Sequence, residues 1–478
     1  MSPRIVAGVD CSTQSTKVLL VDVDRGEVLG SAQAPHVVTG GGGASETDPA
    51  VWWDALGSAL AATGRAGEVS AISVAGQQHG LVVSDGDGRP LRPAVLWNDT
   101  RSAPDAEALV ADLGSAWWAG EVGSVPVASF TVTSWAWLRR TEPAVARAVA
   151  AICLPHDWLT GRLCGRVVTD RGDASGTGWW SVPHGRYHAD VMDHRLVGVE
   201  PDWLPPVLEP AEPAGRVTAA AEERTGLRRG TLVGPGTGDN MGAALGLALE
   251  PGTAVLSLGT SGTAFAVTEV PAADPSGTVA GFADATGRFL PLACTLNATL
   301  AVDRFATWLG LDRDDVAPSS GTATVIPFLD GERTPDLPHA TGSVLGLTHA
   351  TTRQEVLRSA YEGAVVSLLD ALDGIEGPGA ADRPLVLVGG GARGRAWREV
   401  VGRLSGRPIE IPHTQEAVAL GAAVQAAACL TGEPLADVAR RFGGRVGHRL
   451  PAVAPDLKAL ARHHAARGKV SGRGRWPG

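Results

Sequence analysis

Asp239 sits in the stretch GTGDNMGAALG (Gly236–Gly246), where an apolar run (Thr231, Leu232, Val233) enters and an Ala/Gly/Leu helical pattern leaves. Backbone N–H groups converge where a strand hands over to a helix, and a carboxylate placed there can face a cleft and accept a proton from a hydroxyl. An aspartate before a helix is also the ordinary N-cap residue. What favours chemistry is the rest of the chain. Two short turns rich in Thr, Ser and Gly follow strand patterns, Cys11–Thr16 and Gly259–Thr263. Small hydroxyls and unhindered N–H groups suit phosphate oxygens, and glycine allows close approach. Asp10 ends the strand before the first turn and can hold a hydrated Mg²⁺ against those phosphates, or cap its own turn. Lys17 is the one lysine before Lys458, and it falls at the end of that turn.

Gly389–Gly394 fits G-x-G-x-x-G between a strand and a helix, with Glu410 about 20 residues on, which is the dinucleotide-binding pattern. It supports an NAD(P)-linked oxidoreductase. Against this, nothing downstream builds a second mononucleotide half, and Arg393 crowds the turn; the same glycines let an adenosine lie on backbone. Asp99 and Arg101 are spaced to pair. Asp170 and Asp173 form a carboxylate pair for metal or acid–base work or, more simply, a solvated loop. His79 and Trp97 taken singly read as a loop histidine and a core tryptophan.

These residues need a scaffold. Ile5–Asp10, Lys17–Val23 and Glu27–Ala34 read as a three-stranded meander, followed by a helix from Asp48-Pro49 and a strand at Val69–Ala75. The pattern returns at Ala254–Leu258, Gly259–Thr263 and Ala264–Thr268, which indicates an internal duplication. Arg353–Leu372 is an amphipathic helix, Leu385–Val388 and Pro408–Ile411 are strands, and Glu416–Leu430 is an alanine-rich helix. The expected organisation is an α/β chain of two domains, 1–244 and 245–460, with a basic, aperiodic, disordered tail at 461–478.

The 478 residues allow two sizeable cores, and 44% hydrophobic with 19% charged residues is an ordinary globular composition. A net charge of −10 implies no broad basic face, so neither nucleic acid nor anionic membrane is an expected partner. No apolar run reaches the roughly 18 residues of a membrane span, and no secretory h-region precedes the first strand. Five scattered cysteines without a CxxC pair suggest neither zinc nor a disulfide framework, so a reduced, cytoplasmic setting is expected, in which the Asn297-Ala-Thr299 sequon has no role.

Seven segments in order, GVDCSTQSTK (8–17), AGQQHG (75–80), LWNDTR (96–101), GTGDN (236–240), SLGTSG (257–262), GERTPD (331–336) and GGGARGRAW (389–397), resemble the FGGY carbohydrate kinases, most closely their xylulose-kinase branch. The resemblance covers about residues 4–440. It implies two ribonuclease-H-like domains of the actin/Hsp70/sugar-kinase superfamily flanking a central cleft. It further implies ATP-dependent phosphorylation of a pentulose, D-xylulose to its 5-phosphate, with ATP and Mg²⁺ required. Asp239 matches the general base and Asn240 a neighbouring substrate contact. Gln78 and His79 match the sugar-binding pair, with Trp97 placed beside them. Asp10 matches the acid needed for Mg²⁺ and activity, and Thr13, Gln14, Ser15 and Lys17 match the first phosphate turn. Gly259, Thr260 and Ser261 match the second, and Gly390, Gly391 and Ala392 the adenosine turn.

Two departures lie on the sugar side. Gln78-His79 stands where xylulose members usually carry Met-His, and Phe130-Thr131-Val132-Thr133-Ser134 stands where they tend to carry Phe-Thr-Ala-Pro-Lys. Another ketose or polyol (L-ribulose, L-xylulose, arabinitol, gluconate, glycerol) is therefore the alternative substrate. A non-transferring actin-like ATPase is the alternative of another class, although it has no use for GTGDN or AGQQHG. The expected partner is a small sugar, with homodimerisation left open.

Overall fold

The computed structural model describes residues 4–335, 337, 339–376, 380–443 and 446–470. Its frame is two mixed sheets built to one plan. In the first, β1 (Ile5–Cys11), β2 (Ser15–Asp22) and β3 (Val28–Pro35) form the antiparallel meander. Helix α1 (Pro49–Ala62) starts on the Asp48 side chain, which accepts from Ala50 N at 2.9 Å, with proline at the first helical position. It leads to β4 (Val69–Gly76), parallel to β1, and β5 (Leu232–Val233) lies parallel to β4. After β5 comes α2 (Asp239–Gly246).

The second sheet repeats the plan with β6 (Ala254–Leu258), β7 (Gly262–Ala266) and β8 (Phe289–Thr295) as the meander. Helix α3 (Arg353–Asp373) opens with a Thr352/Glu355 capping box. Strands β9 (Leu385–Val388) and β10 (Ile409–Pro412) follow in parallel, and α4 (Ala417–Thr431) then takes the place that α2 holds in the first half. The duplicated α/β architecture expected from the repeated strand–turn–strand pattern is present. β1, β4 and β6 are buried along almost their whole length, as strands covered on both faces must be. Trp52, Leu56 and Leu60 fill the first core, and Tyr361, Val365, Leu368 and Trp397 the second.

The two halves are joined by α2 and α4, which cross with backbone in contact. A Cβ on Gly421 would lie 1.9 Å from the Gly242 carbonyl, and one on Gly246 would lie 2.0 Å from that of Ala417. Helix α4 also lies on the first sheet, where a Cβ on Gly8 would meet Ala419 O at 1.8 Å.

Two expectations need correction. The aperiodic tail from 461 is helical through Val470, in α5 (Leu457–Val470). Ala459, His463 and Ala466 are its buried stripe, and His463 Nε2 lies 3.4 Å from Glu362 Oε2; small residues and a histidine hid the helical face. Residues 471–478 lie outside the described residues. The Asp170–Asp173 loop is not solvated: both aspartates are buried. Asp170 caps a short helix through Gly172 N and Asp173 N, each at 2.9 Å, and accepts from Thr237 Oγ1 at 2.8 Å.

Candidate active site

A cavity of about 250 Å³ lies between the halves. Gln78, His79, Trp97, Phe130, Asp239 and Asn240 line it from one side, and Ser257, Gly259, Ser261, Thr263 and Arg333 from the other. Residues from five of the separated sequence segments thus meet at one place.

Asp239 is the first residue of α2, and its turn is held from several directions. Thr237 pairs with Ala75 at the end of β4 and is tied to Asp170. Gly236 takes φ +83°, and a Cβ there would lie 2.3 Å from the His156 ring, so only glycine fits. Gln425 of α4 donates to the Gly236 carbonyl at 3.0 Å, so a helix of the second half braces the turn. Asp239 Oδ1 accepts from Asn240 N at 2.7 Å and Asn240 Nδ2 at 2.9 Å, and Asn240 Nδ2 also donates to Gln78 Oε1 at 2.8 Å. Burial, then the negative charges of Asp10 and Asp173, push the Asp239 carboxyl up to about 7, close to the range that suits a general base at neutral pH.

Behind this turn lies a buried acid–histidine cluster. His156 Nδ1 is 2.7 Å from Asp173 Oδ2, and its Nε2 is 3.0 Å from Asp157 Oδ1. Burial pulls the imidazole down, but Asp157, Asp173 and Asp170 outweigh it and carry it up to about 9. The same loop fixes His79, whose Nδ1 is 2.6 Å from Gly176 O. A carbonyl only accepts, so Nδ1 carries the proton. Burial holds the ring neutral, down to about 4, and Nε2 is then an acceptor. His79 also takes φ +67°, rare for a non-glycine residue, and stacks on Phe130 with ring centres 4.9 Å apart. Phe130, the first residue of the departing FTVTS stretch, is therefore a wall of the cavity.

In the first turn Ser12 Oγ donates to Ser15 O at 2.9 Å and Trp97 Nε1 donates to Thr13 Oγ1 at 3.1 Å; Gln14 is exposed and Ser15 buried. Asp10 is buried, and its Oδ1 has no hydrogen-bond partner among the described residues. Burial pushes this carboxyl up to about 6 against the pull of Lys17. An orphaned anionic oxygen beside a second carboxylate fits a hard divalent cation. Lys17 pairs with Glu416, just before α4, at 2.9 Å, so it spans the two halves beside the turn.

Gly259, Thr260 and Ser261 form the second turn, with Thr260 exposed and the other two half-buried. In the third, Gly389 and Gly390 are exposed, whereas Gly391 and Ala392 are buried: a Cβ on Gly391 would sit 2.7 Å from that of Leu258. Only the first two glycines present open backbone. Glu410, the ribose acid of the dinucleotide reading, is paired with Arg449 and committed to the sheet. Asp99 pairs with Arg101 as the spacing suggested, with Nη2 2.7 Å from Oδ2.

Arg333 was assigned no role from sequence, yet it lines the cavity. Its position is fixed by its neighbours: Glu332 accepts from Leu296 N at 2.6 Å and from Arg333 N at 2.8 Å, and Thr334 Oγ1 donates to Cys294 O at 2.6 Å. The guanidinium makes no ion pair among the described residues, and Asp336 of the same segment lies outside them. GERTPD was the available signal.

Residues 5–246 match the model of the FGGY family of carbohydrate kinases, N-terminal domain, and residues 254–430 that of the C-terminal domain. The chain belongs to the FGGY carbohydrate kinases. It is therefore a phosphotransferase of the two-domain sugar-kinase fold, and neither a dehydrogenase nor a non-transferring switch. It is 57% identical to a xylulose kinase of Streptomyces rubiginosus over 96% of this chain and 95% of that one. It is 32% identical to the xylulose kinase of Escherichia coli, over 84% and 85% of the two chains. The crystal structure of xylulose kinase from Bifidobacterium adolescentis matches with a TM-score of 0.85 and 37% identity, covering 98% of this chain and all of that one. Among the described residues, no helix of this kinase is long and apolar enough to cross a membrane.

Proposed function

We propose that this kinase transfers the γ-phosphoryl group of ATP to a pentulose, D-xylulose giving D-xylulose 5-phosphate, with Asp239 as general base. The observation that carries this is the shared cavity: Asp239 lines it together with Gln78 and His79, and Gly259 and Ser261 of the second turn line it from the other side. At about 250 Å³ the cavity is below the usual range for drug-sized ligands and suits a monosaccharide. Similarity to xylulose kinases supports the sugar.

His79 Nε2 accepts a sugar hydroxyl proton in a hydrogen bond, and Gln78 Nε2, buried without a partner among the described residues, donates to a second oxygen. Asn240 fixes Asp239 through Oδ1, and the carboxylate takes the proton of the attacking hydroxyl. The Ser12–Ser15 and Gly259–Ser261 turns hold the phosphates by hydroxyl and N–H donors, and Arg333 adds a positive charge. Positioning and charge neutralisation supply most of the acceleration in such transfers. Asp10 would hold Mg²⁺, whose charge offsets that of the phosphates. The domains are proposed to divide at 244/245, so that closure of the cleft excludes water.

A coupled ADP-release assay over D-xylulose, L-ribulose, L-xylulose, gluconate, glycerol, ribitol and D-arabinitol tests this. D-Xylulose is expected to give the highest kcat/KM; a higher value for another compound would reassign the substrate. The base must be ionised, so kcat/KM should rise with pH through an apparent pKa of about 7, shared by the coupled Asp239, Asp10 and Asp173. A profile flat between pH 5.5 and 8 (roughly one unit or more either side of that value) contradicts it.

Gly390→Val separates the adenosine turn from folding. A Cβ there meets nothing within 4 Å, so the protein tolerates it while a nucleotide lying on that backbone does not. The KM for ATP should rise about tenfold or more, corresponding to roughly 1.4 kcal/mol, with melting temperature and sugar KM little changed. An unchanged ATP KM would remove Gly390 from the site. Gly391→Val cannot serve, because its side chain collides with Leu258.

A further inference from the structure

Away from the cleft, Glu121, His184 and His188 converge on the surface of the N-terminal half. We propose that they bind a divalent d-block cation of the zinc class, at a site separate from the one that serves phosphoryl transfer. Glu121 Oε2 is 3.0 Å from His184 Nε2 and 3.6 Å from His188 Nε2, and all three ligand atoms lie within 4.8 Å of one another. A tetrahedral zinc with donors at about 2.0–2.2 Å needs them about 3.3–3.6 Å apart. Two of the three edges are therefore close to that, and a small rotation of the half-exposed His184 closes the third.

The backbone builds the site. His184 lies in the turn, and His188 directly after the second strand, of a hairpin whose strands Trp180–Ser181 and Arg186–Tyr187 pair antiparallel. The hairpin is clamped to the segment bearing the third ligand: Ser181 Oγ donates to Glu121 O, and Val182 N to Val122 O at 3.0 Å. Trp117 packs edge-on against the His188 ring, 5.2 Å between centres at 73°, which fixes the ring plane. Two imidazoles and one carboxylate select Zn²⁺, Co²⁺, Ni²⁺ or Cu²⁺, whereas Mg²⁺ prefers oxygen ligands. A three-residue set leaves a fourth position for water.

A bound ion cross-links the hairpin to a segment that runs on to the cleft. Gly281 N of the C-terminal half donates to Gly123 O at 3.0 Å, and Val125 lines the cavity. Binding should therefore stabilise the folded protein.

The test uses the full-length kinase, stripped with chelator and desalted, titrated with ZnCl2 by calorimetry and with CoCl2 by visible absorption, alongside melting temperature. Wild type is expected to bind one equivalent with tetrahedral-type Co²⁺ absorption and a raised melting temperature. His184→Ala and Glu121→Gln should each weaken binding at least about tenfold, leaving Mg²⁺-ATP turnover unchanged. Both residues are half-exposed, so neither change threatens folding. Equal stoichiometry and affinity in wild type and His184→Ala/His188→Ala would overturn the proposal, as would the absence of Zn²⁺ binding to wild type at 100 µM (about 5.5 kcal/mol).

Discussion

Asp239→Asn is expected to lower kcat by at least about 100-fold while the protein still folds and binds MgATP. Asparagine keeps the size and the hydrogen bonding of the side chain: Oδ1 goes on accepting from Asn240 N, and helix α2 keeps its first residue. What is lost is the ability to take the hydroxyl proton. Removing one of three neighbouring negative charges also relieves Asp10 and Asp173, which raise the Asp239 pKa, so the variant should melt no lower than wild type. The proton-acceptor reading makes a second demand: the residual activity should lose its rise with pH near 7. Stopped-flow or coupled turnover across pH, with nucleotide binding followed separately, checks both. Near-wild-type turnover would remove Asp239 from the chemistry. A large loss with the pH dependence intact would assign the effect to positioning, and the base would then be sought among its neighbours.

Much of this site was legible because its parts are local. A strand bearing Asp10 near its end, a Thr/Ser turn and a returning strand are consecutive at Ile5–Asp22, and the strand–turn–strand part of that pattern, without the acid, returns at Ala254–Ala266. What was not legible depends on distant partners. Asp170 and Asp173 look like a solvated loop until Thr237 and His156 bury them, which needs residues 67 and 17 positions away. Arg333 points nowhere in the sequence; Glu332 bonding back to Leu296 N places it. Helix α5 was missed because its buried stripe is alanine and histidine. The role of α4 was hidden for a related reason: an alanine-rich helix has no apolar face to read, yet it packs on the sheet of the other half through glycine.

That packing gives the second large effect. Gly421→Ala should destabilise the protein by about 2–3 kcal/mol, at the upper end of what an added methyl costs in a filled core. The added Cβ would sit 1.9 Å from the Gly242 carbonyl oxygen, and the obstacle is backbone, which cannot rotate away as a side chain could. The helices must then separate. Gly246 against Ala417 and Gly8 against Ala419 make the same kind of contact on either side, so the separation is resisted along the whole seam. Asp239 begins α2, and Gln425 of α4 holds the carbonyl of Gly236. Moving α4 therefore moves the Asp239 turn, and kcat should fall even where the variant remains folded. Gly86→Ala is the control: it is exposed, a Cβ there meets nothing within 4 Å, and its cost should stay within about 0.5 kcal/mol. Chemical denaturation of both variants, with kcat/KM for sugar and for ATP measured below the transition, makes the comparison. If Gly421→Ala proves as stable as Gly86→Ala, the two helices do not meet backbone to backbone. If it is destabilised while both kcat/KM values stay at wild type, the seam holds the halves together without positioning Asp239.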